Sequence, residues 1–320
     1  MDDTIWIVVT LLVLYFISVV LFPQKVSIIG AMLMLLIVFS PASMLLYERG
    51  NLDLFVFIIC AVIILTTGYS ARLTAGLIVF GGIVKMFPLF GITVLLKESK
   101  QRFYKLAIVS ALFMLVYGLL TFQSQSAAWN TTMRGDGSSY GSFVLITRLG
   151  GYLRDLLPAS FGQLQVFFEA LALVLIFIAG VVAVRDSNIW EASHDRNLAA
   201  FRMGASIYVG TFLLGNNWDY RLAFLVFVIP QLTEWFQLKN KGQRMVVIGV
   251  TLAILVTCWH FLLKIDIPFI PLKDPINRNF VIDEIVNWLL VPGFTYLLVS
   301  SFPDWLKQDM QKIFGFSKRR

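Results

Sequence analysis

Long apolar runs separated by short polar gaps make up most of the chain. A helix of about 20 apolar residues is long enough to cross a bilayer. Runs of roughly that size cover residues 5–22, 26–46, 52–67, 106–122, 164–184, 198–214, 222–236, 245–263 and 285–301. The pattern predicts an all-α, polytopic membrane helical bundle of about nine spans. Residues 73–96 also have the length for one crossing, but Gly81-Gly82, Lys85 and Pro88 interrupt them. A lysine beside a helix-breaking proline is costly in lipid unless protein or water surrounds it. Two half-helices meeting at residues 85–88 meet that condition, which predicts a re-entrant broken pair.

Composition narrows the class. The chain is 58% hydrophobic and 14% charged, with a mean hydropathy of +0.80. Soluble domains carry about 25% charged residues, so a soluble enzyme, a disordered chain and a disulfide scaffold are all excluded. The +7 balance, 26 Lys and Arg against 19 Asp and Glu, is spread through the gaps rather than clustered on one face, unlike a nucleic-acid binder. Positive charge in short loops marks the cytoplasmic side. With the amino terminus outside and residues 73–96 re-entrant, most of the 26 basic residues become cytoplasmic, among them Lys25, Arg72, Lys97, Lys100, Arg102, Lys105 and the terminal Lys318-Arg319-Arg320. The two longest connections, 123–163 and 264–284, then lie outside.

The same reading gives one transmembrane domain, residues 1–301, and a cytoplasmic amphipathic, basic tail, residues 302–320. Trp305, Leu306, Met310, Ile313 and Phe314 stand at roughly helical spacing in that tail. Either a helix on an anionic inner leaflet or a plain solvated tail fits this pattern. The amino terminus has no positive n-region or small-residue cleavage site and is not a signal peptide. Cys60 and Cys258 lie inside apolar runs, where a buried thiol is the expected state.

Three polar clusters interrupt the apolar sequence on the outer side: Glu48-Arg49-Gly50-Asn51-Leu52-Asp53, Lys85-Met86-Phe87-Pro88, and Gly215-Asn216-Asn217-Trp218-Asp219-Tyr220-Arg221. They are either interface anchors or a site. Cations at helix ends suit phosphate, and carboxylates beside them suit sugar hydroxyls or proton transfer. His194 reads as solvated and His260 as interfacial packing. Neither has metal-ligand spacing around it, so no metal is expected. No Walker loop, dinucleotide fingerprint or nucleophile elbow appears, and no cofactor is expected.

These clusters resemble the multispan glycosyltransferases of the GT-C type, specifically glycosyltransferase family 87, the polyprenol-phosphate-mannose-dependent mannosyltransferase group. The matching residues are Pro41, then Leu45-Leu46-Tyr47-Glu48-Arg49-Gly50-Asn51-Leu52-Asp53-Leu54. Ala75-Gly76-Leu77, Lys85-Met86-Phe87-Pro88-Leu89 and Asn216-Asn217-Trp218-Asp219-Tyr220-Arg221-Leu222 with Pro230 follow. The resemblance implies a GT-C-like bundle in a membrane, the bacterial inner membrane being the expected setting. It also implies transfer of a sugar from a polyprenyl-phosphate donor to a lipid or glycan acceptor on the extracytoplasmic face, as a hexosyltransferase of cell-envelope glycan synthesis. In that family the general base is an acidic residue of the first extracytoplasmic loop, and the chain begins near the family's second span. An amino-terminally shortened member without that span and loop, Asp2 or Asp3 as a remnant of the loop, or Asp136 in its place, are the corresponding expectations.

The candidate catalytic residues are Asp219, Glu48 and Asp136. The candidate substrate-binding residues are Arg49, Asn51, Asp53, Lys85, Asn217, Tyr220 and Arg221. The competing readings are a non-catalytic binder, transporter or flippase of lipid-linked sugars, and a structural membrane subunit. A transporter would be expected to repeat its broken helix, and residues 85–88 have no counterpart in the second half.

Overall fold

The computed structural model describes residues 3–131, 139–147, 161–186, 195–262 and 278–315. The described part is all-α apart from one two-residue β-ribbon. The helices are α1 (Asp3–Leu21), α2 (Ile28–Val38), α3 (Pro41–Arg49), α4 (Leu52–Thr66), α5 (Ala71–Val84), α6 (Lys100–Leu120) and α7 (Phe122–Thr131). They continue with α8 (Phe161–Arg185), α9 (Asp195–Leu213), α10 (Ile229–Trp235), α11 (Lys241–Trp259), α12 (Arg278–Ser300) and α13 (Asp304–Ile313). Two 3₁₀ segments, Phe87–Lys97 and Asp219–Val228, complete the bundle.

Among the described residues four helical stretches are long and apolar enough to cross a membrane: Lys100–Leu120, Gly162–Arg185, Lys241–Trp259 and Ile282–Ser300. A fifth is the pair α2–α3, bent by 52°. Shorter apolar helices occupy Ile5–Leu21, Leu52–Thr66, Ala71–Val84 and Phe87–Lys97. Only Ser110 of α6 is buried, while Leu112, Leu115, Leu119 and Leu120 are exposed. An apolar helix turned outward in this way needs a lipid solvent, and the chain is an integral membrane protein.

Two expected spans take a different form. Residues 26–46 do not make one straight helix, because Ser40 and Pro41 stop α2 and start α3. Ser40 caps α3 by accepting from the Ser43 amide, and Pro41 lacks the N–H that would continue α2. Residues 222–236 divide between the end of a 3₁₀ helix and the short α10, which has Pro230 in its first turn. These residues are almost entirely buried, so their irregular backbone is shielded from lipid by protein, which is where such backbone is tolerated.

The break in residues 73–96 is present. α5 ends at Val84, Lys85 is extended (φ −151°, ψ 139°), and Pro88 opens the 3₁₀ segment. The start of the segment packs against the end of α5. A Cβ on Gly82 would lie 2.4 Å from Leu89 Cδ2, so a side chain there would require Leu89 to move.

α9 is the centre of the bundle. It is buried over most of its length and carries Asn197, Arg202 and Thr211, polar residues that lipid would penalise but protein partners satisfy. The antiparallel run of the elements creates two ends. At one, Asn197 accepts from the Gln24 amide (3.0 Å), Arg202 donates to Ser301 Oγ (3.3 Å), and Lys100 pairs with Asp309 (2.7 Å). Arg202 also donates to the Ser301 carbonyl, and Lys307 donates to the Ser300 carbonyl (2.5 Å). These cations cap the end of α12, where the helix dipole favours positive charge. Residues 304–313 of the tail form a docked helix rather than a plain solvated segment: Trp305 of α13 packs on Phe103 and Tyr104 of α6, and Gln311 donates to the Val184 carbonyl of α8. The other end holds the three polar clusters.

Candidate functional site

The first cluster is largely helix punctuation. Gly50 ends α3 in the left-handed conformation (φ 51°), and Asn51 caps α4 by accepting from the Asp53 amide (2.7 Å). Arg49 therefore sits in a last turn and Asp53 in a first turn, each on the end its charge prefers. The sequence folds this way because glycine tolerates positive φ and asparagine accepts from the free N–H groups of a helix start.

Asp53 is fully buried and gathers the other clusters. Lys85 Nζ lies 2.7 Å from Asp53 Oδ1, and Arg221 Nε lies 3.8 Å from Asp53 Oδ2. The break in α5 aims Lys85 at Asp53, since a continued helix would carry the side chain elsewhere. Arg221 also donates to Asn217 Oδ1, Asn217 donates to the Thr211 carbonyl, and the guanidinium carbon lies 5.2 Å from the centre of the Phe87 ring. Arg49 is exposed, with its guanidinium carbon 4.1 Å from the Trp218 ring centre and 5.6 Å from that of Tyr220. Those two rings are stacked, 11° from parallel.

The third cluster is held by the ribbon. β1 (Ser139–Tyr140) pairs antiparallel with β2 (Asn217–Trp218), with Ser139 opposite Trp218 and Tyr140 opposite Asn217. The following residues dock on the same turn, the Ser142 amide donating to the Phe212 carbonyl and the Phe143 amide to that of Gly215.

A second network begins at Asp219, also fully buried. His260 Nε2 lies 3.8 Å from Asp219 Oδ2, and His260 Nδ1 lies 3.6 Å from Asp283 Oδ1. His260 Nδ1 is 2.8 Å from the Thr257 carbonyl. A carbonyl only accepts, so Nδ1 carries the hydrogen and Nε2 is the nitrogen turned to Asp219. Thr257 donates to Asp283 Oδ1 (2.6 Å), Tyr208 donates to Asn287 Oδ1 (2.6 Å), and the Tyr140 ring stacks on Tyr208 (5.4 Å, 3°).

The structure thus brings together Arg49, Asp53, Lys85, Asn217, Tyr220 and Arg221, and sets Asp219 beside His260. Asn51 acts through its cap. Glu48 is exposed on α3 and forms no ion pair among the described residues. Asp136, Asp2 and His194 lie outside the described residues. His260 is buried within a carboxylate network and is not interfacial packing. Sequence reasoning missed Asp283, Asn287, Thr257 and Tyr208. Asp283 stands next to an apolar run and was legible as a costly residue, but no spacing in the chain ties it to Asp219. Among the described residues no group of three or more His, Cys, Asp or Glu is arranged to hold a metal.

No protein-family model, curated protein or solved structure matches this chain.

Proposed function

We propose that the chain is a GT-C-like membrane glycosyltransferase that takes a sugar from a polyprenyl-phosphate-type donor on the extracytoplasmic face and passes it to a lipid or glycan acceptor. In this reading the shorter apolar helices complete about nine spans, residues 73–96 are the re-entrant pair, and the end holding Asp53 faces outward. The observation that carries it is the meeting of Lys85 and Arg221 at the buried carboxylate Asp53, with Arg49 close by over the Trp218 and Tyr220 rings. An excess of positive charge at a membrane edge selects an anionic headgroup.

The acceptor hydroxyl oxygen attacks the anomeric carbon. The bond from that carbon to the phosphate oxygen breaks, and the oxygen departs with the electron pair. Lys85 and Arg221 stabilise this leaving charge. The hydroxyl proton passes to a carboxylate, for which Asp219 is the assigned group.

The test is binding and transfer with a purified protein in lipid nanodiscs and a polyprenyl-phosphate hexose. Lys85→Ala and Arg221→Ala are each expected to weaken binding by ~1.5–3 kcal/mol, the size of a hydrogen bond to a charged group. Asp219→Asn is expected to lose transfer and retain most binding. Wild-type affinity in all three variants overturns the reading.

A further inference from the structure

The end opposite Asp53 carries the tail helix α13 and a set of exposed lysines. α13 is tied to three other helices there. Asp309 pairs with Lys100 of α6 (2.7 Å), Lys307 donates to the Ser300 carbonyl of α12 (2.5 Å), and Gln311 donates to the Val184 carbonyl of α8 (3.1 Å). Away from these contacts the helix presents Gln308 and Lys312, and Ile313 is 79% exposed. An amphipathic helix with an apolar residue turned outward beside a lysine suits the boundary between headgroups and acyl chains. α6 marks the same depth. Its residues Ile108, Val109 and Leu112 are exposed within two turns of Lys105, so lipid contact begins there. Tyr104 of α6 meets Trp305 of α13 at 5.8 Å, and such aromatic residues collect at headgroup level.

The carboxylates around α13 are engaged. Asp309 pairs with Lys100, and Glu98 pairs with Arg102 (3.0 Å). Asp304 interacts with the buried Lys307, and Asp195 with the buried Arg202. Asp186, next to Arg185 in the chain, accepts from Gln243 and Tyr296. Lys97, Lys105 and Lys312 are exposed and have no carboxylate within ion-pair distance among the described residues. We infer that this surface binds anionic phospholipid of the leaflet it faces, with Lys97, Lys105 and Lys312 on headgroup phosphates and Ile313 at the first acyl carbons. A lysine near an anionic leaflet favours binding by about five-fold. The assignment concerns the end away from Asp53 and is independent of the transfer reaction.

The test uses the full chain in nanodiscs of equimolar phosphatidylglycerol and phosphatidylcholine. Lipid retained after transfer to a mild detergent is counted by mass spectrometry. The wild type is expected to retain phosphatidylglycerol over phosphatidylcholine by about five-fold or more. The triple variant Lys97→Gln, Lys105→Gln, Lys312→Gln is expected to bring that ratio close to parity. A control triple, Lys25→Gln, Lys239→Gln, Lys241→Gln, removes as much charge from exposed positions at the turns leading into α2 and α11 and is expected to keep most of the preference. Equal wild-type retention of the two lipids, an unchanged ratio in the first triple, or the same loss in both triples overturns the inference. Hydrogen exchange gives a second reading. The α13 amides of the wild type are expected to exchange more slowly in phosphatidylglycerol than in phosphatidylcholine nanodiscs, and those of the first triple at one rate in both. A wild-type α13 indifferent to the lipid shows that the helix does not meet the leaflet and likewise overturns the inference.

Discussion

Asp53 shows how much of the site depends on one side chain. It caps nothing itself, yet the Asn51 cap places it in the first turn of α4, where burial would be prohibitive without a cation. Lys85 supplies that cation at 2.7 Å and keeps a quarter of its own side chain exposed. Lys85→Met leaves the buried carboxylate with the more distant Arg221 as its remaining cation. The expected cost is about 2–4 kcal/mol, toward the lower end for broken buried pairs because of that exposure. Asp53→Leu combined with Lys85→Met removes both charges and is expected to recover most of the loss. Thermal unfolding in detergent of the two singles and the double measures this, and strictly additive effects show that the residues are not coupled.

At the scale of elements, helix termination builds the site more than helix formation does. The cap at Gly50-Asn51, the break at residues 85–88 and the ribbon at residues 217–218 each stop a regular run and turn polar residues to the same end. The ribbon depends on Gly141, whose φ is 139° and whose added Cβ would lie 2.2 Å from the Gly215 carbonyl oxygen. Neither a side chain nor the neighbouring backbone can yield there cheaply. Gly141→Ala is expected to cost on the order of 1–3 kcal/mol and to free the Phe143 amide from the Gly215 carbonyl. Hydrogen exchange at Phe143 reads this directly. Unchanged protection there shows that the strand pairing tolerates the strain.

For the whole molecule, the two ends differ in charge and chemistry. One gathers the basic residues that begin α6 and end α8, with α13 docked across them, and the other gathers the Asp53 and Asp219 networks. The positive-inside rule assigns the first end to the cytoplasm. Cys60 and Cys258 are buried and replaceable by alanine in a labelling background. Single cysteines at the exposed positions Gln125 and Gln308 then report the two sides. An impermeant maleimide is expected to label position 125 in intact cells and position 308 only after permeabilisation. The opposite pattern reverses the topology and removes the extracytoplasmic site.

Membrane class, helical content and the break at Lys85 were legible in the chain itself, because apolar run length, charge scarcity and a buried lysine beside proline are local properties. So were the polar clusters, since each carries residues that lipid penalises. Other features arose only in three dimensions. The 3₁₀ course of residues 219–228 depends on what packs around it, because such backbone survives only when neighbouring helices cover it. The pairing of Asp53 with Lys85 and Arg221, the stacking of Arg49 on Trp218, and the alignment of Asp219, His260 and Asp283 join residues far apart in the chain. No periodicity links such residues; only the antiparallel stacking of the elements, which brings alternate ends together, decides which charges meet.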